Sequence, residues 1–444
     1  MRYSQFSENF PEESHERRRS RSDYTFWRKV TNVVTRVSER VKGRSAQELF
    51  SLTKPLKVQR RIEKKMIKQN KYYSYNIKQF PVGCQYCVKG EKLVIFITGI
   101  CPRKCYFCPV SDEKSGKDVT FANELRVKSN EDLIFEAKQM KAKGAGITGG
   151  DPLSRLDRTV EYIKLLKEEF GKEFHIHLYT SLNLVTKETL EKLYDSGLDE
   201  IRFHLDLDCE KFWEKLNLAK VHDWDIGVEV PLVPGKIKEL KNMINFIHNK
   251  IKFLNLNELE VADNAQSKLT EMGFITKDSL SYAIKGSLEL GLELLDFVKE
   301  KEYDLSVHVC SAKLKDKVQL SNRIKRESEL ARKKFDKVDE EGLLIRGALY
   351  LPELTPGFNY REKLVLADKE LTISKLNSLF EVIKNKFKLK DEEIHLDKKK
   401  LRLLLSRRNA KKHKNRFKKL GLKPAIVTEY PTADQLEIEV EFLD

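Results

Sequence analysis

Leu93-Val94-Ile95-Phe96-Ile97-Thr98-Gly99-Ile100-Cys101-Pro102-Arg103-Lys104-Cys105-Tyr106-Phe107-Cys108 holds a strand and a metal loop in one run. Residues 93–98 are apolar and end at a glycine, the pattern of a fully buried strand. The loop that follows sets three cysteines in C-x3-C-x2-C spacing. Three thiolates on one loop can bind three irons of a cubane cluster. The fourth iron then has no protein ligand and is open to a small chelating molecule, as in an open catalytic metal position. A zinc or structural cluster with a distant fourth ligand is the alternative for the same spacing.

Downstream, strands are expected at 145–148, 174–179, 200–205, 226–232, 253–261 and 304–309. Helical spacing falls at 131–143, 160–170, 186–194 and 212–216, the first with Ser129 as N-cap and Asp132 three residues on. This alternation predicts an α/β fold: a parallel sheet rolled into a full or partial (β/α) barrel with its chemistry at the C-terminal strand ends. Those ends carry Gly149-Gly150-Asp151-Pro152, then Thr180, Ser181 and Asn183, then His204 and Asp206, with Glu229, Asn257 and Glu258 further on. For each, the competing reading is an outward-facing side chain or a loop hydrogen bond.

The cysteine spacing, Phe107 directly before the last cysteine, and the Gly-Gly-Asp-Pro element after the second strand resemble the radical S-adenosylmethionine (SAM) superfamily. The likeness covers roughly residues 92–320. It is closest to an archaeal form of the branch related to pyruvate formate-lyase activating enzymes, on Leu254-Asn255-Leu256-Asn257-Glu258-Leu259-Glu260 and Cys310-Ser311-Ala312-Lys313-Leu314-Lys315-Asp316. The resemblance implies a [4Fe–4S] cluster on Cys101, Cys105 and Cys108. It also implies SAM bound at Gly149, Gly150, Asp151 and Pro152, with Phe107 beside it; at the strand ends, Ser181, Asn183 and Asp206 are candidates to hydrogen-bond it. Asp151 stands where the family usually has Glu, a mild departure for a role carried by backbone carbonyls. The implied reaction is reductive cleavage of SAM to a 5′-deoxyadenosyl radical that takes hydrogen from a substrate, fed by a flavodoxin- or ferredoxin-type electron donor.

Five of the seven cysteines lie between residues 84 and 108, a clustering that suits metal rather than a disulfide framework. Cys84 and Cys87 form a C-x2-C pair that can bind a second metal, form a redox pair or remain plain thiols. His308 and Cys310 are candidates to complete a second metal set. Cys310 alone reads as a hydrogen-atom donor or a buried apolar thiol, and Cys209 as structural.

Charge divides the chain. Residues 1–71 carry net +11 and residues 398–423 net +13, so the remainder carries −8 of the total +16. Two basic segments on a mildly acidic body point to a polyanion such as RNA, or to solvated surface. The expected layout is a basic, partly disordered and partly helical extension over 1–75, a barrel over 76–325 and a small ferredoxin-like α+β domain over 340–444. The last has β-α-β-β-α-β order plus one strand, with a basic helix at 407–420 and a charged linker at 323–341. No apolar run approaches a membrane span and no signal peptide is visible, so the expected setting is cytoplasmic. Three functions remain open: a radical SAM enzyme acting on RNA, one acting on a protein or small metabolite, and a non-catalytic iron–sulfur or zinc nucleic-acid-binding protein. The last needs no SAM pocket.

Overall fold

The computed structural model describes residues 67–444. The basic extension expected over 1–75 lies, as far as residue 66, outside the described residues, and its expected helices with it.

Ten strands form the first sheet: β1 (Tyr75–Ile77), β2 (Lys92–Phe96), β3 (Phe121–Ala122), β4 (Leu125–Arg126), β5 (Gly144–Thr148), β6 (His175–Ser181), β7 (Glu200–His204), β8 (Asp225–Leu232), β9 (Phe253–Glu258) and β10 (Ser306–Cys310). Their order is β1-β10-β9-β8-β7-β6-β5-β2-β3-β4. β2 and β5 to β10 pair in parallel, β1 is antiparallel to β10, and β3 and β4 form an antiparallel edge hairpin. Among the described residues no pairing joins the two edges, so the barrel is partial.

The strand alternation sorts the side chains. Leu93, Ile95, Ile176, Leu178, Ile201 and Phe203 are fully buried in the main apolar core, toward helices such as Leu156–Phe170 and Lys187–Asp195. Burying each contributes about 1.5–3 kcal/mol. The alternate positions are polar: Lys92, His177, Tyr179, Arg202, Glu229 and Asn255 face the lumen. Helix Val82–Val88 plugs this inner face. The Gly83 amide donates to the Glu200 carboxylate at 3.2 Å. A Cβ on Gly83 would meet both Arg202 and His177 at 2.6 Å, so only glycine lets the helix enter.

The second sheet comprises β11 (Lys337–Val338), β12 (Leu344–Tyr350), β13 (Ile394–Asp397), β14 (Arg402–Leu405), β15 (Lys423–Glu429) and β16 (Glu437–Phe442). Its order is β13-β14-β12-β15-β16, antiparallel throughout, with β11 paired to β12. With helix Lys369–Phe387 between β12 and β13, this is the ferredoxin-like β-α-β-β-α-β order plus a fifth strand.

One expectation is corrected. The single basic helix over 407–420 is two short helices, Arg407–Lys412 and Lys414–Lys419, parted at His413, whose ring packs on Phe387 with centroids 4.7 Å apart. The charged linker, whose composition also allows a helix, does begin as one, Ser321–Ala331, which Arg323 pins to Glu124 of the edge hairpin through two 2.7 Å bonds.

Candidate active site

The cysteine loop leaves β2 and returns to its own start. Gly99 donates to Lys117 O at 2.8 Å and Gly116 to Gly99 O at 3.0 Å. Asp118 locks the return by accepting from Thr98 Oγ1, Arg155 Nε and Arg158 Nη1, which together hold its carboxyl well below the usual range. Arg103 ties the loop to the end of β7, donating to His204 O at 3.1 Å and pairing with Asp206 at 3.1 Å.

Cys101, Cys105 and Cys108 are free thiols, Cys101 the most open of the three. Desolvation raises the Cys101 thiol to about 11, the Arg103 amide pulling against it, and also raises Cys105. Thiols that resist ionising alone but sit together on one loop suit a cationic iron–sulfur centre, since metal binding deprotonates them. Among the described residues their sulfurs do not converge within 4.8 Å. A single ion needs that convergence; thiolates on three different irons do not.

The Gly-Gly-Asp-Pro element lies against this loop. Gly149 has φ +157° and a Cβ there would meet Thr98 O at 2.7 Å; one on Gly150 would meet Ile100 O at 2.5 Å. The glycine pair therefore permits backbone contact one residue before Cys101. Asp151 N donates to Ile100 O at 3.0 Å. The Asp151 carboxylate is 1% exposed and fully engaged, accepting from Thr180 Oγ1 at 2.7 Å, Ser181 Oγ at 2.6 Å, Ser181 N at 3.1 Å and Leu153 N at 3.1 Å. Burial pushes it up while these donors hold it down. Asp151 thus fastens the end of β6 beside the cluster loop. The Thr180 and Ser181 hydroxyl protons are spent on it, leaving backbone groups as the free ligands here. Pro152 opens the next turn at its N1 position. Asn183 O accepts from Lys215 at 3.0 Å.

Phe107 packs edge-on to Tyr106 and lies 5.8 Å from His204. Burial and the Arg103 charge lower His204 to about 4, so its imidazole is neutral. The long connection 259–286 grips the same loop: Asn264 Nδ2 donates to Cys108 O and Val110 O, and Lys268 N to Tyr106 O. Below this level, Arg202 pairs with Glu200 and donates to Glu229 at 2.8 Å, and Asn255 and Asn257 each donate to Glu229 at 2.8 Å. Burial works to raise the Glu229 carboxyl, but these partners outweigh it and lower it. Glu258 accepts from Ala312 N at 2.7 Å and burial raises it.

Cys84 faces this lumen network. Its sulfur accepts from Asn255 at 3.2 Å and Arg202 at 3.5 Å, and burial raises the thiol. His308 is committed to Asn255 and Ser74, and Cys310 lies among Val88 and Leu314. Among the described residues, Cys84, Cys87, His308 and Cys310 do not bring three ligand atoms within 4.8 Å, so no zinc-type set forms. Cys209 is exposed at the start of the turn Glu210–Val221. Sequence reasoning missed Lys92, His177, Tyr179, Glu200 and Arg202. Their signal was polar residues at every second position of strands that should be apolar on both faces.

A three-cysteine loop at the C-terminal end of the first parallel strand, a glycine pair against it and a polar lumen beneath define a class. The radical SAM superfamily model matches residues 95–245. A Methanocaldococcus jannaschii protein, provisionally named a glycyl-radical enzyme activating enzyme, is 37% identical over 379 residues, 83% of this chain and 94% of that one. The chain belongs to the radical SAM superfamily, and within it is related to the activating enzymes. A Saccharolobus islandicus protein, provisionally named a GTP 3′,8-cyclase, is 26% identical over 43% of this chain and 62% of its own length. Streptococcus suis SuiB bound to SAM aligns over 66% of this chain and 63% of its own at 15% identity, TM-score 0.37. The family's cofactors are a [4Fe–4S] cluster and SAM.

Proposed function

We propose that Cys101, Cys105 and Cys108 hold the cluster, and that backbone carbonyls of Gly149–Pro152 receive the amino group of SAM. The polar lumen around His204, Glu229 and Asn257 then receives the group that loses hydrogen. When bound, cluster and SAM supply a one-electron reductive cleavage that yields a 5′-deoxyadenosyl radical and methionine. The chain's own contribution is placement. Asp151 fastens β6 to the loop, Arg103 fastens β7 to it, Phe107 and residues 259–286 shield it from water, and neutral His204 offers no competing acid. The observation that carries this reading is the contact of Gly149 and Gly150 with the backbone at Thr98 and Ile100, which sets a candidate SAM-binding element directly beside the cysteine loop. Following the activating-enzyme relative, the substrate is a polypeptide and the reductant a flavodoxin- or ferredoxin-type protein. Residues 76–325 form the catalytic domain and 340–444 an appended one, in a cytoplasmic enzyme. Among the described residues no helix is long and apolar enough to cross a membrane.

The test is anaerobic turnover with strong reductant. The full chain should form 5′-deoxyadenosine and methionine; S-adenosylhomocysteine alone would make polar methyl transfer the better account. Gly150→Ala, whose Cβ would meet Ile100 O at 2.5 Å beside Cys101, should weaken SAM binding and iron retention together.

A second reading, RNA as substrate, rests on the exposed Arg407, Arg408, Lys411, Lys412, Arg416, Lys418 and Lys419, with Phe417 buried as their anchor. Phosphate contacts make affinity fall steeply with salt. Replacing Lys411, Lys412, Lys418 and Lys419 by Gln should flatten that slope and leave SAM cleavage intact. No binding of bulk RNA at low salt removes this reading.

A further inference from the structure

Between the barrel and the ferredoxin-like sheet lies a cavity of about 330 Å³, lined on the barrel side by Glu136 and Glu327 and on the other by Arg346, His395, Lys399 and Gln435. Glu124, from the edge hairpin, joins Glu136 and Glu327 so that one oxygen of each lies within 4.8 Å of the others. Glu136 and Glu327 are each 3% exposed. Arg323 pairs with two of the three carboxylates, taking both oxygens of Glu124 at 2.7 Å and Oε1 of Glu327 at 2.9 Å. Asn123 donates to Glu136 Oε1 at 3.0 Å. Glu327 Oε2 has no partner, nor does Gln435 Oε1 on the facing wall. A buried carboxylate oxygen without a donor, in a cavity with room for water, calls for a ligand.

We propose that Glu124, Glu136 and Glu327 bind a partly hydrated hard divalent cation of the magnesium class at the junction of the two sheets. The donor set is all oxygen, which suits magnesium, calcium or manganese and disfavours zinc or iron. Magnesium keeps several waters, and the cavity is far larger than a bare ion requires. Those waters reach the facing wall, where Arg346 Nε also lacks a partner. Lys399 faces Glu136 across the cavity as a second positive group, with burial holding its ammonium below the usual lysine value.

The experiment titrates the cluster-loaded full chain with magnesium chloride, against sodium chloride of equal ionic strength, following heat of binding and Tm. One cation per chain and a Tm that rises with its concentration are expected. The variant pair E136Q/E327Q, isosteric and uncharged, should fold and lose both responses while keeping its iron. If that pair does not fold, E124Q, on the edge hairpin, should still weaken binding at least tenfold. Absence of stoichiometric binding to the parent, or undiminished binding by these variants, overturns the proposal.

Discussion

Arg202 and Arg402 are both fully buried arginines on strands, each set between two apolar neighbours, Ile201 and Phe203 in one case, Leu401 and Leu403 in the other. Their surroundings differ. Arg402 closes a circle: Nε to Asp397 at 2.9 Å, Nη1 to Tyr350 at 2.9 Å and Nη2 to Glu429 at 2.6 Å, with Glu429 also bound by Arg346 at 3.2 Å. The circle lies inside the ferredoxin-like sheet and its partners serve the sheet. Arg202 opens a chain. It holds Glu200, Glu229 and Tyr179, touches the Cys84 sulfur, and through Glu229 orients Asn257, while His204 stands two residues on along the same face of β7. A closed buried ion network fixes a fold; an open one at the floor of a barrel positions the groups proposed here to meet a substrate.

The largest expected effect separates these roles. Arg402→Met leaves Asp397 and Glu429 buried without their partner and should cost about 3–5 kcal/mol of stability by denaturant unfolding. SAM cleavage per folded molecule should not change. Arg202→Met should cost a similar amount and also lower cleavage or substrate coupling per folded molecule. Equal specific activity in both variants would erase the distinction.

Acid should act on the barrel next. His308, buried against Asn255 and Ser74, has its imidazole lowered by burial from 6.5 to about 4. The unfolded chain therefore binds more protons between those values, and stability falls as pH drops through that window. The loss approaches about 1.4 kcal/mol per pH unit for this one residue. The slope measured by urea unfolding at several pH values should shrink by about one proton in His308→Asn. An unchanged slope would place the acid sensitivity elsewhere.

The smallest effect concerns the fastening beside the cluster. Ser181→Ala removes a 2.6 Å bond to the buried Asp151 carboxylate and should cost about 1–3 kcal/mol. SAM affinity should weaken with iron content unchanged. Weakened iron retention instead would mean that Asp151 supports the cluster loop more than the SAM side.

Much of this was legible in the chain. Each expected strand from 93 onward forms within a few residues of its expected place, because buried parallel strands between amphipathic helices leave a long, repeated pattern. The C-terminal β-α-β-β-α-β order was readable from short apolar runs alternating with helical spacing, although that sheet is antiparallel. Three things were not. β1 is three residues long and owes its existence to β10, more than 200 residues away, and β3 and β4 are two residues each, too short for any period. The connection 259–286 grips the cluster loop through Asn264 and Lys268, contacts that no local pattern encodes. The roles of Arg202 and Arg402 share one local signature, an arginine between apolar residues, and only the tertiary partners tell them apart. At the break, His413 packs on Phe387 of another helix, a contact that no local pattern encodes.

The central claim is that Cys101, Cys105 and Cys108 hold the cluster that cleaves SAM. The most direct measurement compares the parent with the variant carrying Cys→Ala at all three positions, both anaerobically reconstituted and reduced, by electron paramagnetic resonance and by 5′-deoxyadenosine formation. The account predicts a reduced-cluster signal and 5′-deoxyadenosine from the parent and neither from the variant. A variant that keeps the signal, or still forms 5′-deoxyadenosine, contradicts it.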